Sequence, residues 1–179
     1  MRKSGWPRGP GRIEWIVDGH NVIFAHPLLE TLQRGGERRE ARRRLEAMLE
    51  RLIARTRNRI LVVYDGNRIE RDPDARRGRS LRTQYSDPPE EADDRILRVT
   101  ARLLRREPEV VAAVVTNDRA LVERLPERVV WTTPRAVFTR LRRRTRSGEP
   151  GRERPPGDFS DIEAYFLSLD RNRPRRPTG

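Results

Sequence analysis

Apolar residues in this chain follow two patterns that alternate along its length. One is the short unbroken run, as in residues 13–17 (IEWIV), 59–64 (RILVVY) and 109–116 (EVVAAVVT). Runs this short and this apolar suit strands covered on both faces. The first two stop at Asp-Gly, at Asp18-Gly19 and Asp65-Gly66, a turn-forming pair. The other pattern is helical spacing. Over residues 37–55, Ala41, Leu45, Met48, Leu49, Leu52 and Ile53 share one face and Arg and Glu fill the other. A second such helix is predicted from residue 87 to about residue 106. Asp87 fits its N-cap, Pro88 its first position and Glu90 its third, with Ala92, Ile96, Val99, Leu103 and Leu104 turned inward. Residues 81–85 read as a short strand, residues 117–125 as a short helix opened by Asn117-Asp118, residues 128–131 as a last strand, and Pro134 as the start of a final helix. Strands alternating with helices imply a parallel sheet, and the fold class is α/β, a three-layer sandwich.

The ends read differently. Residues 1–12, rich in Gly, Pro and Arg, are expected to be a disordered basic lead. The domain proper is then 13–145. Residues 146–179 comprise a Gly/Pro/Arg linker, a short amphipathic helix over 159–169 and a basic tail. Residues 66–80, polar and rich in Arg, read as a mobile loop.

Composition narrows the partners. The 179 residues carry a formal net charge of +13, and Lys3 is the only lysine, so the cationic surface is made of arginine. A basic excess of this kind points to a polyanion, nucleic acid first; a GC-rich coding sequence or dense surface ion pairing is the bland alternative. The chain has no cysteine and two histidines, which excludes disulfides, zinc–thiolate sites and thiol chemistry. No apolar run approaches the ~20 residues that span a bilayer, so no membrane partner is expected. The basic N-terminus has no apolar stretch of a signal peptide, and the expected location is the cytoplasm.

The carboxylates are placed where an open parallel sheet binds its ligands, beyond the carboxyl ends of the strands. Asp18 ends the first strand, Asp65 ends the second and Asp118 follows the most apolar one. Glu90, Asp93 and Asp94 fall on the first turns of the helix leading into that strand, at spacings that put them on one face. Acids gathered on one rim repel each other unless a hard divalent cation with oxygen ligands is shared between them. Each has a plainer alternative. The Asp-Gly pairs suit turns, Glu90 suits a capping box, Asn117 or Asp118 suits a cap, and Asp93 or Asp94 suits a helix N-terminus. Asp94 is the one of its pair assigned to that plainer role. Their joint placement is what favours a metal.

Four segments carry a family resemblance: IVDGHNVI (residues 16–23), VVYDGN (62–67), EEADDRI (90–96) and VVTNDRAL (114–121). In order and spacing they resemble the YacP-like branch of NYN domains, within the PIN-like nuclease superfamily, over residues 13–142. The resemblance implies a PIN-like fold, Mg²⁺ or Mn²⁺ held by acids, and endonucleolytic cleavage of RNA. Some relatives resemble ribosome-associated enzymes that cut messenger RNA. By position, Asp18, Asp93 and Asp118 match the acidic metal-binding sites, Glu90 an accessory catalytic acid, and Asp65 a further acidic position that, with Asp94, stands as accessory. The tail beyond residue 146 and the arginine content depart from the family pattern.

On this reading Asp18, Asp93 and Asp118 hold the metal and Glu90 assists. Asn21 and Asn117 face either a phosphate or their own turns. His20 is a solvated loop histidine more readily than a general base, and His26 is structural. Arg68, Arg71, Arg76, Arg77, Arg79 and Arg82, in and just after the loop that follows Asp65, are placed to grip RNA phosphates through planar guanidinium forks, with a solvated charge run as the alternative. Tyr64 and Tyr85 are read as packing rather than base stacking. The competing function is a non-catalytic RNA- or ribosome-binding protein on the same fold. A nucleotide hydrolase would need a Gly-rich phosphate cradle, and the sequence has none.

Overall fold

The computed structural model describes residues 4–9, 11–54, 56–66 and 80–146. The loop arginines Arg68, Arg71, Arg76, Arg77 and Arg79 and everything expected of residues 147–179 lie outside the described residues.

Five strands form one parallel sheet: β1 (Ile13–Asp18), β2 (Arg59–Tyr64), β3 (Leu81–Tyr85), β4 (Val111–Val115) and β5 (Val130–Thr132), in the spatial order β3-β2-β1-β4-β5. The three-layer α/β sandwich is therefore as expected. The chain leaves β1 to build β2 and β3 on one side, then returns to lay β4 and β5 on the other. Strand order reverses between β1 and β4, which opens a crevice at their carboxyl ends.

Side chains alternate across each strand, so the two faces of the sheet bury different sets. Trp15, Val17, Ile60, Val62, Tyr64 and Leu81 are all buried on one face. Helices α1 (Gly19–Phe24) and α3 (Arg38–Ile53) pack against it, with α2 (Pro27–Arg34) and α6 (Pro134–Arg146) on α3. The other face sets Ile16, Val63, Ala112 and Val114 against Ala92 and Ile96 of α4 (Ala92–Arg106) and Leu121 of α5 (Arg119–Arg124). Burying a large aliphatic side chain contributes roughly 1.5–3 kcal/mol, and both layers are continuous enough to fix the sheet.

The structure corrects three expectations. Residues 4–9 are not a disordered lead. Trp6 packs on Trp15 with ring centroids 5.0 Å apart, Arg140 lies over the Trp6 ring, and the Gly5 N–H donates to the Trp131 carbonyl at 2.9 Å. A single large aromatic side chain outweighs the Gly/Pro/Arg composition around it. The helices α1 and α2 fill a stretch where the sequence pattern predicts none. They are six and eight residues long, too short to show a periodic stripe and stable only through packing. The helix expected from residue 87 starts instead at Ala92. Asp65, at the end of β2, accepts the Ala92 N–H at 2.7 Å, so a cap from a distant strand sets the start. The local capping box does not form, and Glu90 turns to Arg95 and Arg98 at 3.0 and 2.7 Å.

Candidate active site

The crevice between β1 and β4 opens into a pocket of about 480 Å³ whose lining includes Asp18, Asp65, Glu91, Asp93 and Asp118. Each is brought there by a different piece of local structure. Asp18 is the last residue of β1 and the N-cap of α1. Its Oδ1 accepts the Asn21 N–H at 3.1 Å and its Oδ2 accepts the Thr116 hydroxyl at 3.0 Å. Asp118 caps α5, with Oδ1 taking the N–H groups of Ala120 and Leu121 at 2.7 and 3.2 Å. The two loops are tied together. Asn21 Oδ1 accepts the Asn117 N–H at 2.7 Å, and Thr116 Oγ1 accepts the Asp118 N–H at 3.0 Å. Asn21 is thus a brace between the Asp18 and Asp118 loops, and Thr116, which the sequence reading passed over, is its counterpart.

Asp93 differs. It stands in the first turn of α4, and no hydrogen bond reaches its carboxylate among the described residues. Partial burial and then the charges of Asp18, Asp118 and Asp65 push its pKa up to about 6. Asp18 is also raised, mainly by burial, against the pull of its bonds to Asn21 and Thr116. Asp65 is lowered, first by its contact with His20 and then by the Ala92 N–H. His20 sets Nδ1 3.7 Å from Asp65 Oδ2 and its ring edge-on to Tyr64, centroids 5.6 Å apart.

Four of the acids singled out in the sequence, Asp18, Asp65, Asp93 and Asp118, therefore meet around one pocket, with Asn21, Asn117 and His20 on its wall. Glu90 does not join them because its carboxylate is held in the Arg95 and Arg98 pairs. Asp94 pairs with Arg124 at 2.6 Å and is also outside the lining. His26 is fully buried, with its ring centroid 4.7 Å from that of Phe138. Two wall residues escaped the sequence reading. Glu91, beside Glu90, is the glutamate that lines the pocket. Phe24 is 45% exposed, the exposed large hydrophobic side chain of the described residues, and Arg34 lies over its ring. Only its exposed position at the end of α1 marks it, and that is invisible without the fold.

Residues 15–143 match the family model of the YacP-like NYN domain. The chain belongs to the YacP-like NYN domain family. Two crystal structures of Rae1 (YacP) from Bacillus subtilis share the fold of this NYN domain. The first, of a point mutant, has a TM-score of 0.62 at 20% identity, over 89% of this chain and 85% of that one. The second has a TM-score of 0.56 at 22% identity, over 88% and 87%. No curated protein matches the sequence. The four motif segments of the NYN domain deliver the acids of the pocket: the first carries Asp18, the second Asp65, the third Asp93 and the fourth Asp118. No helix of the described residues is long and apolar enough to cross a membrane.

The family resemblance implies a divalent cation, and the donors of this pocket suit one. They are hard carboxylate oxygens, the type Mg²⁺ and Mn²⁺ prefer, and the repulsion of Asp93 by the neighbouring carboxylates is the kind a cation relieves. Among the described residues no three such side chains are close enough to enclose an ion as they stand. The acids form an open rim rather than a closed cage.

Proposed function

We propose that this protein is a metal-dependent endoribonuclease, with Asp18, Asp93 and Asp118 holding Mg²⁺ or Mn²⁺ at the crevice between β1 and β4. The observation that carries this reading is Asp93, an unbonded carboxylate pressed by three others on the rim. Membership of the NYN family and the +13 charge support RNA as the substrate. Messenger RNA on the ribosome is the form suggested by the family resemblance.

When bound, a divalent ion neutralises phosphodiester oxygens and makes water a better nucleophile. The protein's own part is positioning. Asp18 and Asp118 are fixed by the bonds that cap α1 and α5, so each offers its remaining lone pairs from a set direction. Asp93 has no such tether and would serve as a further ligand to the ion. Glu91 adds a further acceptor at the pocket's edge for a bound water. The exposed Phe24 ring, backed by Arg34, offers a face on which a base next to the cleaved bond stacks; such stacking contributes about 1–3 kcal/mol per base.

Purified protein incubated with end-labelled single-stranded RNA should give products with Mn²⁺ or Mg²⁺ and none with EDTA. Losing even an outer partner of a metal typically costs 10–100-fold. Each of Asp18→Asn, Asp93→Asn and Asp118→Asn is therefore expected to slow cleavage at least about a hundredfold at saturating metal. Undiminished cleavage by any one of them removes that residue from the site. RNA binding without cleavage in any divalent ion would mark a binding protein on a nuclease fold.

A further inference from the structure

The acid rim occupies one end of the sheet. A second feature lies along its α4 side. There α4 covers β1, β2 and β4, while the outer half of the same face, toward edge strand β3, stays open. Strand register puts Glu14, Arg59, Leu61, Arg82 and Gln84 on that open face. The result is a groove of about 450 Å³ between β3 and α4, floored by Leu61 and walled by Arg82 and Gln84 on one side. The other wall is a single stripe of α4, Arg95, Arg98, Arg102 and Arg106, whose 3-4-4 spacing spans about 16 Å of helix.

The charge of this groove is not balanced. Six arginines (Arg59 with the five on the two walls) against Glu14 and Glu107 leave its lining at 6 − 2 = +4. Elsewhere the helices carry their own counter-charges. Arg34 pairs with Glu30 in α2, and Arg43 and Arg44 pair with Glu40 in α3. From Arg95 onward α4 has no acidic residue. Arg95 and Arg98 share Glu90 from outside the helix, Arg12 and Arg59 share Glu14, and Arg12 also takes Glu107. Arg82, Arg102 and Arg106 make no close ion pair among the described residues, although Arg82 acts on Glu14 at longer range. A solvated helix face gains from interleaved Glu and Arg. A face that lacks them keeps its guanidinium forks for an external anion.

We propose that this groove binds the phosphodiester backbone of RNA and holds the strand that flanks the cleavage site. The proposal rests on the nuclease reading above, because α4 is what links the two features: Asp93 in its first turn belongs to the rim, and the arginine stripe begins at Arg95, two residues later. Arg82, first grouped with the loop that follows Asp65, belongs to this groove through β3.

The test uses the full chain in EDTA, so that binding is read without cleavage, with labelled oligouridylate by fluorescence anisotropy over a range of salt. Each phosphate contact on a single strand contributes about −0.7 to the slope of log K against log salt. The triple variant Arg82→Gln, Arg102→Gln, Arg106→Gln, whose three positions are all exposed, should flatten the slope by about 2. An equal loss of charge on α3 (Arg39→Gln, Arg43→Gln, Arg51→Gln) should leave the slope unchanged. A groove variant with the wild-type slope, or an α3 variant that flattens it equally, overturns the proposal. Inorganic tripolyphosphate, titrated calorimetrically, separates RNA from a small polyphosphate. Groove-dependent tripolyphosphate binding with an unaltered RNA slope also overturns it. Groove-dependent RNA binding by a protein that cleaves nothing with Mn²⁺ supports the groove and removes only the nuclease reading.

Discussion

Asp18 and Asp118 show why single carboxylates at strand ends are hard to interpret from sequence. Each caps a short helix, as the plainer reading of an Asp in a turn suggests, and each also lines the acidic pocket. Capping uses one or two lone pairs and leaves others for a ligand, so the two readings are compatible. Asp93 makes no such bond, and its protonation therefore reports on its neighbours. Its folded pKa of about 6 lies above the ordinary aspartate value of 3.8. A raised carboxylate stabilises the fold fully below the unfolded value and loses that contribution as pH rises through the folded one. In EDTA, the Asp93→Asn protein should match wild type in melting temperature near pH 4 and exceed it above about pH 6. Asp93 is only partly buried, so solvent screening reduces the gain to about 1 kcal/mol, or roughly 2–4 °C. Calorimetric scans at the two pH values check this, and an equal offset at both would show that the acids do not interact. Saturating Mn²⁺ should reverse the order, since the ion binds the native wild-type site more tightly.

At the level of elements, α1 explains a glycine that reads as half of a turn. Gly19 is the first residue of α1, and a Cβ there would overlap the ring of Tyr64, which is fully buried. Arg42 also lies over the ring at 5.1 Å, and Tyr85 neighbours it, centroids 5.7 Å apart. It has no room to yield. In an ordinary exposed helix Gly→Ala gains up to about 1 kcal/mol. Here Gly19→Ala should instead destabilise by about 1–3 kcal/mol, the range of overpacked cores, read from the midpoint of urea unfolding. Because Asp18 precedes it and His20 follows, the same variant should also weaken Mn²⁺ binding. A neutral or stabilised Gly19→Ala protein would show that α1 does not lie this close to β2. The start of α4 is the other element-level lesson. Beginning at residue 88, the helix would place Glu90, Asp93 and Asp94 on one face. Beginning at Ala92, it leaves Glu90 outside the helix, and Glu91 rather than Glu90 lines the pocket.

Over the whole described domain, the N-terminal segment works as a strap. Trp6 lies against Trp15 of β1 and beneath Arg140 of α6, and Gly5 bonds to Trp131 of β5. It thereby ties the central strand, the far edge strand and the last helix. Trp6→Ala removes one aromatic pair, one cation–π contact and part of a large apolar area. Pair and cation contribute roughly 0.5–1.5 and 0.5–1 kcal/mol beyond area. A loss of about 2–3 kcal/mol in unfolding free energy is expected from these contacts and the lost burial. Trp6→Phe should recover much of it. Equal stability of Trp6→Ala and wild type would mean that the segment does not hold the domain together. The distribution of charge is also a property of the whole molecule. The acids sit at the carboxyl end of the sheet and an arginine stripe, only partly compensated, runs along α4, an arrangement that net charge alone does not reveal.

The sequence alone determined most of the alternation of strands and helices, the parallel sheet, the family and a set of six candidate acids from which the four aspartates of the rim come. These follow from local rules: an apolar run needs cover on both faces, and an acid after such a run must lie at a strand's carboxyl end. Tertiary structure decided the strand order that makes β1 and β4 the crevice, the cap from Asp65 that sets the start of α4, the choice of Glu91 over Glu90, the exposure of Phe24 and the docking of Trp6. Each of these depends on a partner distant in sequence, through a hydrogen bond or a packed ring. Spacing along the chain carries no record of which distant group that will be.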